Sequence, residues 1–132
     1  METNRRMDFK NLLLVFGGGG LGSLIRYALG RWVNTFHQHH FPLGTLLVNI
    51  AACLILGIVV GLADHKQVLS ASSRLFWAVG FCGGFSTFST FSNESLFLLQ
   101  NGFNLSLLLY VLLSLCLCLA ATFGGLWIGE HI

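Results

Sequence analysis

The sequence predicts an all-α membrane protein with four transmembrane helices per subunit, the third of them broken, and three observations carry that prediction. Of the 132 residues, 55% are hydrophobic and only 9% charged, with a mean hydropathy of +0.76. A soluble domain carries roughly a quarter of its residues as charges. The charges present are also confined: no Asp, Glu, Lys or Arg occurs in 11–25, 32–63, 75–93 or 95–129, and about 20 apolar residues suffice to cross a bilayer. Finally, a stretch of glycines and hydroxyls interrupts the third apolar run. The chain therefore reads as one four-span subunit over 1–132, with spans at about 12–33, 44–63, 75–99 and 105–129. The connections at 37–42, 64–74 and 100–102 leave no room for a soluble domain.

Residues 1–10 carry Arg5, Arg6 and Lys10, the charge pattern of a signal-peptide leader. The apolar run behind them is of span length and lacks a small-residue cleavage pattern, so we expect it to stay in the mature protein. Within the first span, the run from Gly17 to Gly22 formally matches the dinucleotide fingerprint G-x-G-x-x-G. That motif needs a preceding strand and a later acidic residue, and neither is present. Gly18 and Gly22 instead stand four apart, as small residues do where helices approach closely in lipid. Arg26 is the basic residue deepest in a span. Two readings stand for it: a charge at a vestibule, which attracts anions, or a side chain snorkelling toward the interface near Trp32.

His37, His39 and His40 in the first connection read as a solvated loop rather than a metal site. In the second span, Asn49 is the least expected side chain, with Thr45 one turn before it on the same face. An unpaired amide in lipid is costly, so Asn49 faces protein or a cavity. Its two N–H donors suit an anion losing its water. Cys53, Gly57 and Gly61 continue a small-residue stripe.

The third span holds the unusual chemistry. From Gly80 to Ser92 it reads Gly-Phe-Cys-Gly-Gly-Phe-Ser-Thr-Phe-Ser-Thr-Phe-Ser. Spare polar groups at that depth cost several kcal/mol each unless satisfied, and the adjacent Gly83 and Gly84 are expected to loosen the helix there. Phe81, Phe85, Phe88 and Phe91 recur at spacings that place them on one helical face. An anion is attracted to the edge of an aromatic ring and repelled by its face, so Phe88 and Phe91 beside an Asn donor suit an anion path. Glu94, later in the span, repels anions; it either pairs with a cation or approaches the headgroups. In the fourth span Tyr110 and Ser114 share a face, either bonding neighbouring helices or continuing a polar track. Ala121, Gly125 and Gly129 form another small-residue stripe.

Cys53, Cys82, Cys116 and Cys118 all fall within spans, which suggests packing rather than disulfides or zinc. Trp32, Trp77 and Trp127 lie near span ends, where interfacial anchoring is expected. With four spans both termini share a side. That side holds Arg5, Arg6, Lys10, Lys66 and Arg74, against Arg26 and Arg31 opposite. The positive-inside rule then favours cytoplasmic termini.

Three stretches together resemble the Fluc (CrcB-type) fluoride channel family: Gly-Gly-x-x-Gly-x-x-x-Arg-Tyr from Gly18 to Tyr27, Gly-Thr-Leu-Leu-Val-Asn from Gly44 to Asn49, and the Gly80–Ser92 run. The resemblance covers nearly the whole chain in order, and the third-span motif is its most specific part. It implies an antiparallel, dual-topology homodimer in the cell's inner membrane, passively exporting fluoride through two pores and so giving fluoride resistance. By the same resemblance, Asn49, Phe88 and Phe91 line the pores, with Thr45, Ser89, Thr90, Tyr110 and Ser114 as further polar candidates and Arg26 at the vestibule. The backbone carbonyls of Gly83 and Ser86 from both subunits would hold a central structural sodium ion. Ser86 stands where many members have Thr, a change that a backbone ligand tolerates. The five basic residues against two make a partner of opposite charge bias the alternative to a second copy.

No catalytic constellation, ATP site or nucleic-acid patch is visible, so no enzyme is expected. Two other classes compete. A small proton-coupled exporter needs a membrane carboxylate; span one carries Arg26 and no acid, and Glu94 alone remains for a fluoride/proton antiporter. A non-transporting scaffold accounts for the glycine stripes but not for the interrupted third span.

Overall fold

The structure, a computed structural model, describes residues 7–132. Arg5 and Arg6 lie outside the described residues, and with them part of the charge asymmetry read above. The described chain is helical almost throughout, as the composition predicts.

Helix α1 spans Phe9–Phe36, 28 residues, or about 42 Å at 1.5 Å per residue. Asp8 caps its start by accepting the Lys10 N–H at 3.2 Å, satisfying a donor that the first turn leaves orphaned. The helix stops where His37 turns extended. Pro42, which needs no N–H, precedes α2 (Leu43–Val60), which widens into a π-helical turn over Gly61–His65. In the following connection Arg74 and Asp64 pair at 2.5 Å. Both side chains are exposed there, so the pair contributes roughly 0–1 kcal/mol.

The third span begins at α3 (Ala71–Arg74), capped by Ser70, runs π-helical over Leu75–Cys82 and ends in the short α4 (Gly83–Phe85). Ser86 and Thr87 are extended, and α5 (Phe88–Gln100) resumes with Thr87 as its cap. The broken third helix is therefore present, but the break falls after the glycine pair rather than at it. Gly84 has a packing reason instead: a Cβ there would overlap the Gly19 backbone of α1. The chain then reverses through Gly102, whose φ of +75° suits glycine, into α6 (Asn104–His131).

Two glycine contacts organise the bundle. Gly18 and Gly22 of α1 meet the backbone of Phe76, Gly80, Phe81 and Phe85, so the dinucleotide-like run is a packing surface. Gly57 and Gly61 of α2 meet the backbone of Thr122, Gly125, Leu126 and Gly129 of α6. Residue numbers rise together along both helices, so α2 and α6 run parallel. Their core is small: one buried cluster joins Val48, Ala52, Phe81, Cys82 and Phe85, another Leu46, Leu98 and Tyr110. Large apolar side chains such as Leu24, Leu105 and Phe123 point outward, each more than two-thirds exposed. In lipid this outward distribution carries no hydrophobic penalty. Trp32 and Trp127 are also exposed and stand one turn from the ends of α1 and α6.

Candidate functional site

The break in the third span is held open by specific partners. Asn49 accepts the Thr87 N–H at 2.8 Å and donates to the Thr87 carbonyl at 3.2 Å. One amide side chain thus serves both backbone groups of the residue where the helix is interrupted, groups that would each cost about 1–3 kcal/mol if buried unpaired. A consequence follows one turn earlier. In a continuing helix the Thr87 N–H would bond the Gly83 carbonyl; given to Asn49, it leaves that carbonyl with no backbone donor among the described bonds. The next carbonyl, that of Gly84, accepts from Arg26 Nε at 3.0 Å and from Ser23 at 3.5 Å. Arg26 is therefore tied to the break instead of snorkelling. Thr87 itself accepts the Thr90 N–H at 3.1 Å and bonds the Thr90 hydroxyl at 2.9 Å.

Glu94 has a different setting from either reading of the sequence. Thr45 donates to one carboxylate oxygen at 2.7 Å and Tyr110 to the other at 2.9 Å. Two hydroxyls from α2 and α6, rather than a cation or headgroups, thus meet the acid on α5. Tyr110 is fully buried, and its ring lies 5.0 Å from that of Phe91.

Two cavities meet at Thr87. The outer one, about 230 Å³, is lined by Arg26, Arg31, Asn34, Thr45, Thr90 and Glu94 with Thr87. The inner one, about 300 Å³, is lined by Asn49, Ser86, Thr87, Phe88, Phe91 and Ser114, and extends past Cys53 and Cys118 to Thr122. Ser114 Oγ is buried and has no hydrogen-bond partner among the described residues. The contrast with its neighbours is informative: Ser95 and Thr122 bond back to carbonyls of their own helices, at 2.8 and 3.0 Å. A buried hydroxyl that forgoes this leaves a strong donor unspent in a residue that lines the cavity.

Most of this chain has counterparts. Residues 13–126 match the family model described as CrcB-like protein, Camphor Resistance (CrcB). A protein of Flavobacterium psychrophilum named fluoride-specific ion channel FluC is 40% identical over 123 residues, covering 93% of this chain and 99% of that one. Proteins of the same name from Phocaeicola vulgatus and Bacteroides fragilis are 41% and 42% identical, each covering 92% of this chain and 99% and 98% of their own. The chain belongs to the CrcB family. Three of its helices, Phe9–Phe36, Leu43–His65 and Asn104–His131, are each long and apolar enough to cross a membrane. This CrcB protein is accordingly a multi-pass membrane protein, of a family of channels and not of enzymes.

Of the residues singled out in the sequence, this CrcB chain brings Asn49, Phe88, Phe91, Ser114 and Ser86 to one cavity, and Thr45, Thr90 and Arg26 to the other. Ser89 is exposed and bonds only the Thr87 hydroxyl, at 3.4 Å. The four phenylalanines do not form one continuous face. The break re-aims the chain between Phe85 and Phe88, so that Phe81 and Phe85 enter the core while Phe88 is 79% exposed. The histidine loop forms no metal cluster among the described residues. His40 instead stacks on Phe103 at 3.9 Å and bonds Ser106. Sequence reasoning missed the capping role of Thr87. A hydroxyl residue directly before a helix start was the available signal, hidden because the expected break lay a few residues earlier.

Proposed function

We propose that this CrcB protein is a passive, fluoride-selective channel of the bacterial inner membrane, its ion passing the cavity of Asn49, Phe88, Phe91 and Ser114. The observation that carries the reading is the unpartnered Ser114 hydroxyl in a residue that lines one cavity with the Asn49 amide and the Phe88 and Phe91 rings. An anion arriving from the vestibule is drawn by Arg26 and Arg31. It then exchanges water for the Ser114 O–H, the one Asn49 N–H not spent on Thr87, and ring edges. Fluoride gives up more hydration energy than chloride, so it needs close donors, and a narrow site supplies them while excluding the larger ion. Export follows from the membrane potential, about 2.3 kcal/mol per charge per 100 mV, and needs no coupled energy source.

The channel assembles in this reading as an antiparallel dimer with two pores, and two features support a second subunit against this face. Phe88 borders the cavity yet is largely exposed in a single subunit, which leaves that wall open to a second subunit. Gly83 is likewise open, with no atom within 4 Å of a Cβ placed there. The residues also fit a structural sodium ion. The Gly83 carbonyl lacks a backbone donor among the described residues and Ser86 is extended, so both present oxygens of the kind hard cations take. One chain offers two such carbonyls, and a second copy, or a partner of opposite charge bias, would double them. Bound there, the ion would tie two subunits together at the breaks.

The test is fluoride efflux from liposomes loaded with purified protein, followed by a fluoride electrode under an imposed voltage. Flux that follows voltage, ignores a pH gradient and is absent for chloride is expected. Flux set by the pH gradient would replace the channel with an antiporter, and no flux would leave a scaffold.

A further inference from the structure

Helices α2 and α6 run side by side in constant register. Thr45 and Tyr110 meet at Glu94, Asn49 and Ser114 face one cavity, and Gly57 and Gly61 pack against Thr122 and Leu126. Each rung stands one turn, about 6 Å, beyond the last. Between the ion-facing rung and the glycine rungs lies Cys53 with Cys118. Both line the inner cavity, both are free thiols, and the register of the two helices sets them on the same rung. Neither is fully buried, so the cavity gives a route to both sulfurs.

Packing alone does not require two thiols at one rung of this cavity, and their placement has a chemical consequence. Thiolates are soft ligands that select soft, d10 cations. Such ions accept two sulfurs in line, so two opposed cysteines complete a site without the third ligand that zinc demands. We propose that Cys53 and Cys118 form a two-thiol site for a soft cation of the Hg2+ or Ag+ class, and that its occupation blocks the inner cavity. For mercury the step is a ligand exchange: both S–H bonds break, two S–Hg bonds form, and two protons leave to solvent. Nothing is oxidised or reduced. An ion seated there puts a fixed metal beside the rung of Asn49 and Ser114. The block, though not the binding, rests on that cavity being the pore.

A rival pair is built into the same chain. Cys53 also lines a smaller cavity of about 150 Å³ with Cys82, Gly83 and Ser86. Cys82, however, is a member of the buried core. The fourth cysteine, Cys116, is exposed on the outward face of α6. The experiment therefore adds mercuric nitrate in chloride-free buffer to liposomes of wild type, C82A, C116A, C53A, C118A and C53A/C118A. Fluoride efflux is read as a fraction of each protein's own unblocked rate. Block reversed by excess dithiol is expected in wild type, C82A and C116A, weakened in C53A and C118A, and abolished in the double variant. Block that survives in C53A/C118A, or that C82A relieves as fully as C118A does, overturns the proposal.

Binding is measured separately in the C82A/C116A protein, which keeps the pair. One mercury per subunit should consume both remaining thiols in a thiol titration; two thiols still titratable would overturn the site without reference to flux. Binding at that ratio without block would overturn the placement in the pore. Wild type that passes no fluoride before mercury is added would instead sink the channel reading, while the titration still decides the site.

Discussion

Replacing Ser114 with Ala should move stability and transport in opposite directions. The Ser114 hydroxyl is buried and unpartnered, and a buried donor left without an acceptor costs about 1–3 kcal/mol. Ala removes the hydroxyl and little else. The ion-free protein should then gain stability, by nothing where cavity water already serves the hydroxyl and by up to about 3 kcal/mol where it does not. Transport should suffer instead. A hydrogen bond to a charged group is worth about 1.5–3 kcal/mol, and each 1.4 kcal/mol is a factor of ten. Losing it from the transit of an anion slows flux by about 10- to 150-fold. Ser114→Thr keeps the hydroxyl, adds one methyl to a cavity with room for it, and should stay within a few-fold of wild type. The assay pairs fluoride efflux per assembled protein with thermal unfolding in detergent. Flux in Ser114→Ala within twofold of wild type would refute the ligand role. A marked loss of stability would refute it differently, by showing that the hydroxyl has a structural partner.

Asn49→Ala strips both partners from Thr87 and should cost roughly 2–6 kcal/mol as two backbone groups lose their bonds, with flux lost as well; unfolding indistinguishable from wild type would remove Asn49 from the break. Phe88→Ile and Phe91→Ile keep apolar bulk but lose the quadrupole, so each should cut fluoride efflux sharply with assembly nearly intact, and Met should harm less at either position. The same change at Phe81, a core residue, should act through stability instead; normal flux in both Phe88→Ile and Phe91→Ile would end the ring-edge mechanism. Gly57→Ala drives a Cβ into the Thr122 backbone whereas Gly124→Ala meets nothing within 4 Å. The first should lower the melting temperature markedly and the second should not, and equal shifts would show that α2 and α6 are not packed in this register.

Much of this was legible because lipid leaves few options. Charge-free apolar runs with short connections admit little but helices, and hydroxyls crowded after glycines admit little but an interruption. The position of the interruption was less accessible. Gly83 and Gly84 look like breakers by intrinsic propensity, yet both remain helical, and Gly84 is explained by its close approach to Gly19. The break sits instead where a distant amide competes for the backbone, and no local pattern announces that Asn49 is that amide. Glu94 was opaque for the same reason. Its two donors come from residues 49 and 16 positions away, and a single charge in a span reads identically whether it meets hydroxyls, a cation or water.

The parallel register of α2 and α6 gives those long-range pairings a common cause. Glycines at 57, 61, 125 and 129 allow the two backbones to touch at one end, and such contact leaves no space for a polar side chain between them. Toward the other end the facing residues are Cys53 and Cys118, then Asn49 and Ser114, then Thr45 and Tyr110, each larger or more polar than the glycines they succeed. A bundle clamped at one end by glycine and filled at the other by side chains must open a gap along one seam. The interrupted third span enters that seam, bringing Thr87, Phe88 and Phe91 to the inner cavity. Glycine packing and the inner cavity are thus two ends of one interface. Enlarging Gly57 or Gly125 should therefore alter the width of the cavity a turn or two away as well as the stability of the fold.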